Sequence, residues 1–189
     1  MSRQYKSFLS KAMWLLIILF GIRCFMSWGD IITNPSVYGI LSLAGEAIGV
    51  TVFLMLLYEK WIWHVCIFRK LEDTPCLYKE YIGTIKSEFD GIERNVVLRI
   101  KQSLLSVQLT MTSDESSSKS ISSSIDTILG EKQITYCYLN TPRTEFRNRS
   151  EIHYGTAMLN VEDVDLLTGQ YFTDRSTRGD ITLHATRPS

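Results

Sequence analysis

The sequence predicts a membrane-anchored all-β protein: a two-helix transmembrane hairpin followed by an eight-stranded up-and-down β-barrel. Three observations carry this reading. Two long apolar runs occupy the first third of the chain, short segments with a period near two begin at Leu77, and clusters of Gly, Asn, Asp and Ser interrupt those segments every ten or so positions. Of the 189 residues 45% are hydrophobic, and 20 Lys and Arg balance 20 Asp and Glu. That is the composition of a folded chain, not a disordered one. The sequence divides into residues 1–76, the membrane region, and 77–189, a remainder long enough for one modest core.

The first apolar run, Ala12 to Gly29, would span about 27 Å as a helix, just enough to cross a bilayer. The second, Tyr38 to Tyr58, would span about 31 Å and is followed by Glu59, Lys60, Trp61 and Trp63, the amphipathic anchors of a membrane surface. A cleaved signal peptide fits poorly: no small-x-small site follows the first run, and Arg23 precedes Cys24 where a lipoprotein signal needs a small residue. Arg3, Lys6 and Lys11 precede the first run and Lys60, Arg69 and Lys70 follow the second, while the connection between them carries Asp30 but no cation. By the positive-inside rule both termini and the β-domain are cytoplasmic, which leaves the sequon Asn148-Arg149-Ser150 without a glycosylating compartment. Inside the spans lie Arg23 and Glu46, at similar depth in an antiparallel hairpin. Either they pair, forming a polar seam that governs helix assembly, or Arg23 snorkels and Glu46 sits in a hydrated collar. Ser42, Gly45 and Gly49 make a face that another helix can approach closely.

The β-domain reads as strands near Tyr78–Lys86, Asn95–Lys101, Leu104–Thr112, Ser118–Ile128, Gln133–Asn140, Ile152–Glu162, Leu166–Thr173 and Gly179–Thr186. Closure into a barrel removes the exposed edges that an open sheet would leave, with a sandwich as the alternative. The stretch Ser113–Ser124 resembles a linker in composition, but the alternation of Ser117, Lys119 and Ile121 suits a strand with small side chains beside a cavity.

Several function classes drop out. A near-neutral charge without a long basic run disfavours polymeric nucleic acid. Cys24, Cys66, Cys76 and Cys137 form no C-x-x-C pair and read as reduced thiols. His64, His153 and His184 fall in different elements, and no H-E-x-x-H, nucleophile elbow or phosphate-binding G-x-x-x-x-G-K occurs. No catalytic residue, metal site or cofactor is expected. What remains is a set of polar aromatic motifs: Tyr136–Asn140, His153–Ala157 and Gly169–Arg175. Tyrosine rings stack on bases, Thr and Asn bond base edges and ribose, and an Arg grips phosphate through two parallel bonds. The candidate ligand residues are Tyr138, Asn140, Tyr154, Thr156, Tyr171, Thr173 and Arg175, with Thr110 and Thr112 behind them. Packing alone also favours Tyr and Thr in strands, Asp174, Arg175, Arg178 and Asp180 also suit a plain charged hairpin, and a shift of one residue in register would exchange Tyr136 and Tyr138 with Cys137 and Leu139.

Taken together, the two apolar spans, Gly45–Phe53 (GEAIGVTVF), Tyr81-Ile82-Gly83 with Ser87, Y-x-Y-L-N-x-P (Tyr136–Pro142), H-Y-G-T-A and G-x-Y-F-T-D-R resemble the two-transmembrane, β-strand-rich effectors of cyclic-oligonucleotide-based antiphage signalling, CBASS. The resemblance covers nearly the whole chain. It implies a cyclic dinucleotide made by a cognate nucleotidyltransferase as the activating ligand, binding in the cytoplasmic barrel, homo-oligomerisation in the bacterial inner membrane, and membrane disruption that kills the infected cell. The alternative is a constitutive lipocalin-like barrel holding a lipid or other apolar ligand, whose interior would be apolar throughout.

Overall fold

The computed structural model describes residues 3–65, 68, 72–148 and 150–186. Cys66, Arg69, Lys70 and Arg149, used in the sequence reading, lie outside them. The chain forms two compact units, Met1–Leu71 and Glu72–Ser189.

In the first unit, helices α1 (Arg3–Met26) and α3 (Val37–Lys60) are both long and apolar enough to cross a membrane. Helix α1 starts at Arg3 rather than Ala12, because nothing between them breaks a helix. The connection between the two apolar runs contains a short helix, α2 (Trp28–Thr33). It stops at Asn34, which is pushed out of helical geometry (φ −137°, ψ 73°) by the proline that follows. Ala47, Thr51 and Met55, spaced by four, are the buried face of α3. Polar contacts between α1 and α3 include Lys11, 5.9 Å from the Tyr58 ring centroid, and Arg23, which bonds Glu46. Lys11 to Arg23 and Glu46 to Tyr58 are each twelve positions (23 − 11 and 58 − 46), so one antiparallel register satisfies both.

The second unit is a closed barrel of eight antiparallel strands in sequence order: β1 (Glu80–Ser87), β2 (Glu93–Gln102), β3 (Val107–Ser113), β4 (Ser116–Ile128), β5 (Glu131–Pro142), β6 (His153–Asn160), β7 (Leu166–Thr173) and β8 (Arg178–Ala185). Pairing of β1 with β8, from Tyr81↔Ala185 to Ser87↔Gly179, closes it. Strand β3 begins three positions later than expected, at Val107, because Ser103–Ser106 make the preceding turn, with Ser103 N–H donating to Ser106 O at 2.8 Å. Alternation sends Leu98, Leu109, Ile134, Leu159, Leu167 and Leu183 into a fully buried core. The β4–β5 hairpin turns through Leu129 and Gly130, both at positive φ, the turn that matches strand twist.

The serine-rich stretch is strand β4, and its serines close a gap. Backbone pairing with β3 covers only Lys119–Ser117 against Thr110–Thr112, and a bulge follows between Ser120 and Ser122. Beyond it, Ser120 Oγ accepts from Leu109 N–H at 3.0 Å and Ser123 Oγ donates to Val107 O. Short hydroxyl side chains thus stand in for missing ladder bonds.

Tyr81 ties the loops at one end to the core. Its ring is fully buried, and its hydroxyl donates to Val164 O (2.9 Å) and accepts from Tyr78 N–H (3.1 Å). Burial pushes its ionisation up from 10.0 to about 12. The folded state therefore holds this proton more tightly than the unfolded state, and its contribution, whole below pH 10, is lost as pH rises toward 12. Tyr81→Phe orphans two backbone groups. It is expected to cost about 1–3 kcal/mol in denaturant unfolding of the full chain at neutral pH, and to lessen the loss of stability between pH 10 and 12.

Candidate functional site

Loops 88–92, 114–115, 143–148 with 150–152, and 174–177 surround one end of the barrel, and beneath them opens a cavity of about 440 Å³, an ordinary size for a small-molecule site. Its floor is apolar, formed by Ile85, Val96, Met111, Tyr136 and Ile181. Its upper wall is polar, with Ser116, Ser118, Asn140 and Thr173 below a rim that carries Asp90, Arg94, Glu115, His153 and Arg175.

Two glycines place the aromatic groups. Tyr138 lies opposite Gly155 across the β5–β6 ladder, and a Cβ added there would come within 2.4 Å of the Tyr138 ring. Tyr171 covers Gly179 in the same way, at 2.7 Å. Each ring thus lies flat over a strand position without a side chain. Tyr136 and Tyr138 stack with centroids 5.7 Å apart at 44°. Burial raises both phenols above the usual range, reinforced for Tyr138 by Tyr171 and Asp174. They stay protonated at physiological pH and keep an O–H to donate.

The polar groups divide by whether the protein already uses them. Asn140, only 7% exposed, accepts from Ser118 Oγ at 2.8 Å through its carbonyl oxygen, which leaves its amide NH₂ without a partner among the described residues. Arg94 is committed: it donates to both Asp90 oxygens at 2.6 and 3.2 Å and lies 3.6 Å from Glu115. The guanidinium holds the Asp90 carboxyl down to about 2. Arg175 donates to Ser150 Oγ at 3.2 Å and, among the described residues, has no carboxylate partner. Of the two described arginines that line the cavity, Arg175 is therefore the one able to meet an incoming anion.

Of the residues singled out from sequence, Tyr138, Asn140, Tyr171, Thr173 and Arg175 line the cavity. Tyr154, Thr156, Thr110 and Thr112 do not. Gly155 and Ala157 take the inward positions of β6, and Leu109 and Met111 those of β3, so the alternate residues face outward, and Tyr154 is 59% exposed. The cavity is also lined by Tyr136 and His153, which the motifs contained but the candidate list left out, and by Ser118, Asp90, Arg94 and Glu115, which sequence reasoning did not single out. The alternation of Arg94 with Val96, Leu98 and Ile100 could have placed Arg94 inside, whereas the rim loops carry no period to read.

In the first unit, Arg23 and Glu46 form an ion pair at 2.6 and 2.9 Å. Their side chains keep 36% and 51% of their surface exposed. Twelve positions, about 18 Å of helix, separate Glu46 from Tyr58, so in a bilayer of ordinary thickness the pair would lie within the hydrocarbon core.

The family model described as Cap15, cyclic dinucleotide receptor domain, matches residues 73–185. The chain is also similar to CD-NTase-associated protein 15 of Staphylococcus schleiferi, 30% identical over 147 residues that cover 77% of this chain and 80% of that protein.

If Gly155 exists to seat Tyr138, a methyl group at that position must displace the ring. Gly155→Ala is expected to lower stability by about 1–3 kcal/mol. In the double variant with Tyr138→Ala most of that cost should vanish, which a double-mutant cycle on unfolding midpoints would read as strong coupling.

Proposed function

Because the chain belongs to the family of Cap15 cyclic dinucleotide receptor domains, we propose that it is an antiphage effector whose barrel binds a cyclic dinucleotide made by a cognate nucleotidyltransferase, and that binding drives assembly and disruption of the bacterial inner membrane. The observation that carries this reading is the cavity: two glycine-seated tyrosines beside an arginine with no carboxylate partner among the described residues. Tyr138 and Tyr171 offer ring faces to bases. Arg175 offers a planar fork to phosphate. The NH₂ of Asn140 supplies donors for base edges or ribose, while the Thr173 hydroxyl is held by Thr177 and Arg94 is taken up by Asp90 and Glu115. A lipid carrier would need an apolar interior throughout, and an alkyl chain in this cavity would strip water from Asn140 and Arg175 without replacing its hydrogen bonds.

The topology of this proposal places both termini and the barrel in the cytoplasm, supported by Arg3, Lys6, Lys11 and Lys60 flanking the apolar helices and by the cation-free connection. Ligand-driven association of barrels raises the local concentration of their hairpins, and the partly exposed Arg23–Glu46 pair gives those hairpins a polar seam to bury together.

The full chain in detergent should melt several degrees higher with one member of a panel of cyclic di- and trinucleotides, since a ligand that binds only the folded state stabilises it. A flat panel on a cooperatively melting protein would reject the ligand assignment. Arg175→Ala should weaken that ligand by about 10- to 100-fold in calorimetry, the worth of a charge-assisted pair, and leave the unliganded melt unchanged. Glu46→Leu should bind ligand as the wild type does while cells producing the activated protein keep membrane integrity. Continued leakage would separate the ion pair from the killing step.

A further inference from the structure

We propose that the outer wall formed by β5, β6 and β7 is the surface through which two barrels pair. This rests on the assembly step of the proposed function and assigns it a location. Apart from Glu131 at the far end of β5, the outward side chains of β5, β6 and β7 include no Asp, Glu, Lys or Arg. The wall formed by β8, β1 and β2 is the opposite in kind, with Arg178, Asp180, Glu80, Lys86, Glu93 and Arg99 facing outward. On the uncharged wall, Tyr154, Phe172 and Met158 are 59%, 41% and 38% exposed. They form one patch: Leu139 pairs with Tyr154, Thr156 with Phe172, and Met158 with Gln170. Such contiguous apolar area on a water-facing sheet marks an interaction surface.

The charge pattern selects the partner. A wall without Lys or Arg has nothing with which to attract anionic lipid or a phosphate backbone. A two-fold axis brings the same patch of both copies together. This wall meets itself without like-charge repulsion, whereas the β8–β1–β2 wall would have to bring its own charges into register. The arrangement also joins the surface to the site. Tyr138, Asn140, Tyr171 and Thr173 line the cavity from the inner face of the strands whose outer face is the wall, so ligand and partner press on opposite sides of one peptide layer.

The test uses the full chain in detergent with cyclic di-AMP, cyclic di-GMP and cyclic GMP-AMP, each alone, reading binding by thermal shift and association by sedimentation. Met158→Lys should keep the thermal shift of the wild type and weaken association at least tenfold, while Thr84→Lys on the opposite wall leaves both intact. Equal association of Met158→Lys and wild type would overturn the proposal. A ligand-independent measurement covers failure of the ligand reading itself. With the other cysteines changed to Ser, Cys137 on the wall should be cross-linked between copies by a short bismaleimide in densely loaded vesicles, faster than a Cys137→Ser, Thr84→Cys chain. Equal rates would overturn the proposal whether or not any nucleotide binds.

Discussion

Closure of the barrel is the constraint on which the rest depends. Once β1 pairs with β8, every strand residue faces either a filled interior or solvent, and a single set of parities holds around the ring. The lower interior is filled by leucines and isoleucines, so the space left for a ligand is confined to the loop-bearing end. The same closure gives β4 its unusual composition. Its backbone ladder to β3 is short, and serine hydroxyls complete the seam where backbone groups do not meet. Replacing those serines with larger β-formers would raise strand propensity and remove the hydroxyls that hold the wall shut.

Within that frame the cavity separates structural charge from available charge. Arg94 sits on an inward parity position near the mouth, where an isolated guanidinium would be costly, and two rim carboxylates compensate it. Arg175 sits on a hairpin turn in water, where no compensation is required, and so remains open to an anion. The tyrosines follow a similar economy: glycine on the neighbouring strand leaves a shelf, and the ring occupies it in a fixed pose, so little side-chain freedom is left to lose on binding.

Much of this fold was legible in the chain. Two apolar runs and eight alternating segments lead to a hairpin and a barrel because both patterns follow directly from burial. Part of the cavity lining was legible too: Tyr138 and Asn140 share the inward parity of β5, and Tyr171 and Thr173 that of β7. Tyr154 and Thr156 were misplaced by one position, since H-Y-G-T-A alternates equally well in either phase. Only Gly155, placed inward to seat the Tyr138 ring, settles it. Asp90 and Glu115 were invisible because loops carry no period, and their place at the mouth follows from long-range pairing alone.

The hairpin illustrates how one register can serve two purposes. Lys11 over Tyr58 and Arg23 with Glu46 are satisfied by the same antiparallel offset, so the contact at one end of the hairpin aligns the ion pair further along the helices. The ion pair keeps a third to a half of its surface uncovered. In water that would cost little, but in hydrocarbon each exposed polar atom is a standing penalty that a neighbouring helix can relieve. In the proposed assembly such a hairpin would gain from company, so a rise in local concentration would favour clusters over single copies. On that proposal the barrel would not have to push on the apolar helices to act on them; holding several copies side by side would be enough.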